Sequence, residues 1–260
     1  MSGVPPSLTG KAILVTGAAT GIGRATAELL GAAGVRVFGI GLDGEAGAEL
    51  GAVAAKAGWP VIFRDADLTR ESDVRASVAA MLAVYGRIDG VVNSAGIYMT
   101  GKRAEDVTDA EWDLTLGVNL TAIFRVCRAT LPEIRKAGGG SVVNIASVHA
   151  LATVPGVPAY AASKGGVLAF SRQLALDYAV DFIRVNALVV GSVNTRMTQA
   201  GVEAAGGAEK LGLSYDRNVI ARIADPAEIA RTIAFLLAEE SSFVTGSGLV
   251  VDGGMTALLF

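Results

Sequence analysis

Three side chains with the chemistry for proton transfer lie close together in the middle of this sequence. Tyr160 and Lys164 are four residues apart, so a helix would place both on one face, one turn apart. A phenol with an ordinary pKa of about 10 is a poor base at neutral pH, and a nearby ammonium group favours its phenolate form. The hydroxyl of Ser147, thirteen residues earlier, could hold a substrate oxygen while the phenol exchanges its proton.

The surrounding elements decide whether this trio is a site or an ordinary core tyrosine beside a solvated lysine. Short apolar runs that predict strands alternate with stretches of helical periodicity. The predicted strands are 12–15, 35–40, 61–63, 89–92, 141–145, 183–188 and 249–251, and the predicted helices are 22–33, 45–56, 73–85, 109–135, 159–179 and 226–238. This alternation predicts a single α/β domain with a Rossmann-like, doubly wound parallel sheet of about seven strands and helices on both faces. Ser147 follows the fifth strand, at the edge where such sheets bind ligands.

A glycine-rich segment follows the first predicted strand. Gly17, Gly21 and Gly23 would let the chain turn sharply and let a pyrophosphate approach the amino terminus of the next helix, where free N–H groups attract anions. The Gly-x3-Gly-x-Gly spacing differs from the commoner Gly-x-Gly-x-x-Gly pattern, so a plain strand-to-helix turn is the alternative. Its position after the first of seven alternating strands favours nucleotide binding.

Composition and charge exclude several other classes of function. The chain has one cysteine and one histidine among 260 residues, so an intrachain disulfide and a Cys/His zinc site are excluded and no metal is expected. A net charge of −3 without runs of like charge disfavours nucleic-acid binding. Residues 1–10 lack a signal sequence, and glycine and proline interrupt the uncharged segment 137–163. We therefore expect a cytoplasmic location without a membrane span.

Together these motifs resemble those of the short-chain dehydrogenase/reductase family, from Lys11 to about Met255. Ser94 replaces the second asparagine that is usual in that family, and Val190 replaces a usual proline. The resemblance implies a Rossmann-like subunit that uses a nicotinamide dinucleotide to interconvert a secondary alcohol and a ketone. The matching segments are Thr16–Gly23, Asp67-Leu68, Asn93-Ser94-Ala95-Gly96, Asn119, Ser147, Tyr160-Ala-Ala-Ser-Lys164, Asn186, Gly191, Thr195 and Asp252-Gly253-Gly254.

The resemblance also implies four catalytic residues. Tyr160 would be the acid–base group, and Ser147 would polarise the oxygen of the substrate. Lys164 would lower the pKa of Tyr160 and bind the nicotinamide ribose. Asn119 would anchor a water that continues the proton relay from Lys164, although a polar residue inside a helix could instead bond only to backbone.

For the cofactor, the resemblance implies that Asp67 binds the adenine, Asn93 lies by the adenosine ribose and Thr195 holds the nicotinamide carboxamide. Asp67 could instead cap the helix that follows it. Because Val190 replaces proline, we expect the loop that carries Thr195 to be less rigid than in the family. The predicted cofactor-binding residues are Gly17, Thr20, Gly21, Ile22, Gly23, Asp43, Asp67, Leu68, Asn93, Ala95, Gly96, Tyr160, Lys164, Gly191, Val193 and Thr195.

The choice between NAD and NADP depends on the residues after the second strand. Members of the family that prefer NAD usually place an acidic residue directly after this strand, whereas Asp43 lies two positions later. Asp43 could therefore be only a turn residue or a helix cap. Leu42 and Thr20 stand where users of NADP often carry basic residues. NAD is the predicted cofactor, with NADP as the alternative.

The predicted substrate residues are Ser147, His149, Val157, Tyr160 and Tyr98. His149 could instead be a partly buried histidine that bonds to backbone. Residues 197–223 form a long, weakly periodic connection, which we interpret as a lid over the site. The wall of the site is predicted to be apolar and to include Tyr98, Met99, Val157, Met197, Leu211 and Tyr215.

An apolar wall favours a small, neutral secondary alcohol or ketone, a sugar or polyol included. A reductase of 3-oxoacyl groups on an acyl carrier is one alternative. It would need basic residues at the mouth of the site, where Arg125 is available but Leu176 stands at a position that often carries arginine. A catalytically silent nucleotide sensor on the same fold is the other alternative, and the intact catalytic set argues against it. The long helices 109–135 and 159–179 and the apolar tail 255–260 predict a homotetramer.

Overall fold

Seven parallel strands form one sheet in the computed structural model, which describes residues 3–204, 206–207 and 219–258. The strand order is β3-β2-β1-β4-β5-β6-β7, so the chain winds outwards in two directions from the β1/β4 boundary. A sheet that reverses its winding leaves a crevice at that boundary, outside the carboxyl ends of the strands. The strands are β1 (Ala12–Thr16), β2 (Arg36–Gly41), β3 (Val61–Asp65), β4 (Gly90–Asn93), β5 (Gly140–Ile145), β6 (Ile183–Val190) and β7 (Gly248–Val251).

Helices cover both faces of this sheet. One buried cluster holds residues of α1, α2 and α8, among them Leu30, Leu50 and Ile233, and the other holds residues of α3, α5 and α6, among them Met81 and Ile134. Strands buried on both faces explain the continuous apolar runs in the sequence, and the predicted fold is confirmed. The helices are α1 (Gly21–Ala32), α2 (Gly44–Ala57), α3 (Glu71–Tyr85), α4 (Asp109–Leu116), α5 (Ala122–Lys136), α6 (Pro158–Tyr178), α7 (Arg196–Ala204) and α8 (Pro226–Leu237).

A single long helix predicted over 109–135 is instead two α-helices joined by a turn of π-helix. The π-helical turn, Gly117–Thr121, separates α4 from α5 and contains Asn119. Wider turns of this kind frequently occur at functional sites, because they redirect one side chain without ending the helix. A helical periodicity in the sequence does not distinguish a π-turn from regular helix.

The same stretch, Asp109–Lys136, has the length and apolar composition of a membrane span, and it is the one such stretch within the described residues. Its buried side includes Ile123, Val126 and Ile134, which pack in the core with residues of the sheet. Its outer side carries Arg128, which pairs with Glu71 of α3 at 2.8 Å. These contacts are those of a helix that covers a sheet.

Candidate active site

The predicted catalytic residues converge at the carboxyl edge of the sheet. Ser147 lies two residues after β5 and starts a short 3₁₀ turn, where its Oγ accepts a hydrogen bond from the backbone N–H of His149 at 3.3 Å. Tyr160 and Lys164 lie in the first two turns of α6, which begins at Pro158. Proline is favoured in the first helical turn, where no N–H partner is required. All three side chains line one groove.

Burial shapes the acid–base properties of this trio. Lys164 is 5% exposed and donates a hydrogen bond from Nζ to the carbonyl oxygen of Ile145 at 2.9 Å. Burial lowers the pKa of Lys164 to about 8 and raises the pKa of Tyr160 to about 12, while the hydroxyl of Ser147 acts on Tyr160 in the opposite direction. Lys164 Nζ lies 5.6 Å from the centroid of the Tyr160 ring. Burial is therefore the largest influence on Tyr160, and the expected lowering of its pKa by Lys164 is not found in this arrangement.

Asn119 is fully buried and links the site to the protein backbone. Its Oδ1 accepts a hydrogen bond from the N–H of Ile97 at 2.8 Å, and its Nδ2 donates to the carbonyl of Ile97 and to Ser163 Oγ. A Cβ added to Gly96 would lie 3.3 Å from Asn119 Oδ1 and 3.7 Å from Lys164 Nζ, so the asparagine and the lysine flank this glycine. Asn119 therefore bonds to backbone, as its alternative interpretation expected, and also lies beside the catalytic lysine.

The groove of about 200 Å³ that contains the trio has the features that a dinucleotide requires. Helix α1 begins here, and Thr20 at its N-cap makes no side-chain cap, so the first N–H groups stay available to an anion. Gly17 has a positive φ of +64°, and a Cβ there would lie only 2.9 Å from the backbone of Ala95. Gly23 has no room either, because a Cβ would overlap the carbonyl oxygen of Gly17. These residues fit a pyrophosphate at the start of α1.

Most of the predicted cofactor residues line this groove, and some residues that the motifs did not indicate do so too. The lining includes these predicted positions: Gly17, Thr20, Gly21, Ile22, Ala95, Gly96, Tyr160, Lys164, Gly191, Val193 and Thr195. Ser94, Ser147, Val190 and Met197, which stand within the motifs or have other predicted roles, also line the groove. The lining residues that no motif indicated are Ile145, Ala146, Arg196 and Thr198. Arg196 matters most among them, because it adds a positive charge beside the position expected for phosphates. No motif signals it, since its effect depends on where α7 folds back.

Asp43 and Asp67 both make local bonds at the carboxyl edge of the sheet. Asp43 caps α2 by accepting a hydrogen bond from Ala46 N–H at 3.0 Å, and its other oxygen pairs with Arg196 at 3.3 Å. Asp67 accepts hydrogen bonds from the hydroxyl and N–H of Thr69, and the hydroxyl in particular lowers the pKa of Asp67. Asp43 therefore makes the capping contact of its alternative interpretation. Asp67 bonds within a turn and does not cap α3, whose N-cap is Arg70, and neither carboxylate lines the described groove.

Asn93 differs from the prediction that it lies by the adenosine ribose. Its side chain is 1% exposed and enters the core, where Nδ2 donates to Asn144 Oδ1 at 2.8 Å and contacts Cys127 Sγ at 3.6 Å. Its Oδ1 has no hydrogen-bond partner in the part of the chain that is described. Leu68 also packs in the core. Both positions follow from a sheet buried on two faces, where side chains at strand ends turn inwards.

A second cavity of about 280 Å³ adjoins the groove and shares Ser147, Tyr160 and Gly191 with it. Tyr98 and His149 pack around the Tyr160 ring, with centroid distances of 4.8 and 5.4 Å. Two of the predicted substrate residues, Tyr98 and His149, thus pack against the phenol ring of a third, Tyr160. The full lining is Tyr98, Ser147, Val148, His149, Ala152, Thr153, Val154, Tyr160, Gly191, Ser192, Met197, Thr198, Gly201, Met255 and Thr256, in which no aspartate, glutamate, lysine or arginine is found among the described residues.

Two predicted wall residues are placed elsewhere. Val157, the N-cap residue of α6, is 2% exposed and lines neither the groove nor the substrate-side cavity. Met99 lines a separate small cavity and accepts a hydrogen bond from Thr115 at 3.2 Å. Met255 and Thr256 line the substrate-side cavity, although they lie near the end of the chain and no sequence motif indicated them.

The predicted lid over 197–223 can be described only in part. Its first residues continue α7, and Met197, Thr198 and Gly201 line the substrate-side cavity. The predicted wall residues Leu211 and Tyr215 lie outside the described residues, as do positions 205 and 208–218 generally.

Comparisons with known proteins agree with this arrangement. The family model described as enoyl-(acyl carrier protein) reductase matches residues 17–256. Cyclopentanol dehydrogenase of Comamonas testosteroni is 38% identical over 247 residues, covering 95% of this chain and 97% of that protein. The 2,5-dichloro-2,5-cyclohexadiene-1,4-diol dehydrogenase of Sphingobium indicum is 40% identical over 252 residues, covering 96% and 99%. The crystal structure of levodione reductase has a TM-score of 0.91 at 32% identity, covering 96% of this chain and 99% of that one. The chain belongs to the short-chain dehydrogenase/reductase family.

Proposed function

We propose that this protein interconverts a neutral secondary alcohol and its ketone with a nicotinamide dinucleotide as the redox partner. The observation that carries the proposal is that Ser147 and Tyr160 lie on the boundary shared by the glycine-lined groove and the uncharged cavity. A carbinol carbon in the cavity would then lie between its proton acceptor and the cofactor. When bound, the nicotinamide supplies the acceptor or donor of hydride.

Each residue of the site has a distinct task in this reaction. The hydroxyl of Ser147 holds the substrate oxygen, and Tyr160 gives a proton to it during ketone reduction or removes one during alcohol oxidation. Lys164 places a positive charge 5.6 Å from the phenol ring and would bind the nicotinamide ribose. Asn119 holds Ile97 and Ser163 beside the lysine and would anchor the relay water.

The cavity favours a neutral, compact substrate. A carboxylate or phosphate there would be buried without a cationic partner among the described lining residues, which is strongly unfavourable. Two relatives are named for alcohols on a five- or six-membered ring, which supports an alicyclic alcohol. A 3-oxoacyl carrier reductase has less support, because Arg125 lines a groove between α3 and α5 with Glu71 and Arg128, and not the substrate-side cavity.

The direct test is turnover on a panel of alcohols and ketones. The panel contains cyclopentanol, cyclohexanol, an acyclic secondary alcohol, a 3-hydroxy acid and a 3-oxoacyl thioester, each assayed with NAD(H) and NADP(H) through the absorbance of the reduced cofactor. We expect the cyclic alcohols to be oxidised and the 3-hydroxy acid to be a poor substrate. Preference for the thioester would favour the acyl-carrier alternative, and cofactor binding without any turnover would favour the sensor alternative.

For the cofactor, we expect a preference for NAD that depends on Asp43. Its carboxylate would bond to the ribose hydroxyls and repel a 2′-phosphate. Replacing Asp43 with serine retains a helix cap but removes the charge, and it also frees Arg196, which now pairs with Asp43 at 3.3 Å. The ratio of kcat/KM for NAD to that for NADP should therefore fall by about tenfold or more, on the scale of a charged hydrogen bond.

Arg196 provides the control for this prediction. In an Asp43→Ser, Arg196→Gln double variant, activity with NADP should be lower than in Asp43→Ser alone, because the double variant loses Arg196, the cation that would pair with the 2′-phosphate. Steady-state kinetics on one alcohol give the ratio of kcat/KM for NAD to that for NADP in each of the three proteins. A wild-type preference for NADP, or an unchanged ratio in Asp43→Ser, would contradict the assignment.

We also propose a homotetramer, because the described residues expose large apolar side chains on the outer helices and in the segment before β7. Leu176 of α6 is 74% exposed, and Phe243 is fully exposed. Two self-complementary surfaces generate a tetramer with dihedral symmetry. Light scattering should give four times the subunit mass of 26.4 kDa, and Phe243→Asp should reduce the assembly to dimers. A wild-type monomer at micromolar concentration would contradict the proposal.

A further inference from the structure

His149 is held in one orientation at the wall of the substrate-side cavity. Its Nδ1 lies 2.9 Å from Thr153 Oγ1, at hydrogen-bonding distance. Its ring packs nearly perpendicular to Tyr160, with an interplanar angle of 80°, and lies 6.1 Å from the Tyr98 ring centroid. These contacts occupy one ring nitrogen and hold the imidazole ring in place, which leaves the second nitrogen to be considered.

The second nitrogen, Nε2, remains available to a ligand. Nε2 has no hydrogen-bond partner within the described chain. Among the described residues, Asn93 Oδ1 is the one side-chain atom that is both buried and unpartnered, so Nε2, which is also unpartnered, is accessible. His149 lines the cavity that also contains Tyr160, and the centroids of the two rings are 5.4 Å apart. Burial lowers the pKa of His149, so the imidazole is neutral at pH 7 and can take part in a hydrogen bond with a neutral group.

Other polar groups in the cavity are less suited to bind a substrate. The hydroxyl of Thr256 donates to Asp252, and that of Thr198 bonds to Thr195. Ser192 and Tyr98 carry the further hydroxyls in the lining for which no internal partner is found in the described residues. The remaining surface is largely apolar, so a second substrate oxygen that met none of His149, Ser192 and Tyr98 would be buried without a partner.

We propose that His149 Nε2 binds a second oxygen of the substrate, which makes the preferred substrate a diol or polyol and not a simple alcohol. A hydroxyl group suits this position whichever nitrogen carries the imidazole proton, because it can donate to Nε2 or accept from Nε2–H. Tyr160 and Ser147 then hold the reacting oxygen, and His149 holds the other. This inference depends on the proposed function, since it extends the same cavity.

The experiment compares cyclohexanol with cyclohexane-1,2-, 1,3- and 1,4-diol in wild type and in His149→Phe. Phenylalanine keeps an aromatic ring against Tyr160 and Tyr98 but removes Nε2. In wild type, at least one diol isomer should exceed cyclohexanol in kcat/KM by about tenfold, on the scale of one buried hydrogen bond. In His149→Phe the ratio of kcat/KM for the preferred diol to that for cyclohexanol should fall to about one, whatever the absolute rate of the variant. His149→Gln, which restores an amide donor and acceptor, should recover part of the excess.

Three results would overturn the inference. One is a wild-type protein that oxidises cyclohexanol at least as well as every diol. Another is a preference for diols that persists in His149→Phe and is lost in Ser192→Ala or in Tyr98→Phe, which would assign the second oxygen to that hydroxyl. Absence of oxidation of all four alcohols would contradict the proposed function itself, so the two failures are distinguishable.

Discussion

Replacing Tyr160 with phenylalanine is expected to lower turnover by about 10²–10⁴-fold, the usual contribution of acid–base catalysis. The change keeps the ring, so the packing against Tyr98 and His149 at 4.8 and 5.4 Å should persist. It removes the proton that the phenol exchanges with the substrate oxygen. Cofactor affinity, measured by quenching of protein fluorescence or by calorimetry, should change little.

Tyr98→Phe is the matched control for this prediction. Tyr98 lines the same cavity and contacts the Tyr160 ring, yet it has no assigned proton to transfer. Its variant should keep turnover within a few-fold of wild type. Equal losses in the two variants would show that any hydroxyl deletion damages the cavity. More than about a tenth of wild-type activity in Tyr160→Phe would remove Tyr160 from its role.

Lys164→Met is expected to have the second largest effect, a decrease in turnover of about 10²-fold or more. Methionine retains most of the buried aliphatic volume and loses the ammonium group that lies 5.6 Å from the phenol ring. It also loses the hydrogen bond to the Ile145 carbonyl at 2.9 Å. Lys164 would bind the nicotinamide ribose through its ammonium group, so cofactor affinity should fall in this variant. Tyr160→Phe keeps the ring that lines the same groove, so cofactor affinity should change little there.

The pH dependence of ketone reduction distinguishes the role of the lysine. With its pKa lowered to about 8, Lys164 loses its proton as the pH rises through 8, whereas the phenol, with a pKa raised to about 12, stays protonated. A neutral Lys164 no longer favours the phenolate that remains after the phenol gives up its proton. In wild type, kcat/KM for reduction should therefore be high below pH 8 and decline above it. The residual activity of Lys164→Met should lack this decline. The same decline in both proteins would assign it to another group.

The fold could be predicted from the sequence because burial on both faces leaves a strong local signal. Apolar runs such as Val35–Ile40 and Ser141–Ile145 mark strands that helices cover on either side. The π-helical turn at Asn119 could not be predicted, since one additional residue in a turn barely alters helical periodicity. The lengths and order of the elements were predictable to within a few residues at their ends.

The site was predictable where a motif is local and not where tertiary folding creates the contact. Tyr160, Lys164 and the glycines after β1 act through spacing within one element, so the sequence places them correctly in the groove. Arg196, Met255 and Thr256 reach the site because distant segments return to the same sheet edge. Val157 was predicted to line the substrate site but is buried in the core. A shift of one residue along the chain is enough to move a side chain from the cavity to the core, and the sequence does not resolve such a shift.

The most direct measurement of the central claim is the fate of the hydrogen on the carbinol carbon. Cyclopentanol with deuterium on that carbon is incubated with the protein and the oxidised cofactor, and the reduced cofactor is analysed by mass spectrometry and NMR. Hydride transfer predicts one deuterium on the nicotinamide ring for each ketone formed, and Tyr160→Phe should slow its appearance by about 10²-fold or more. Ketone formed with the deuterium released to water, or reduced cofactor that contains none, would contradict the account.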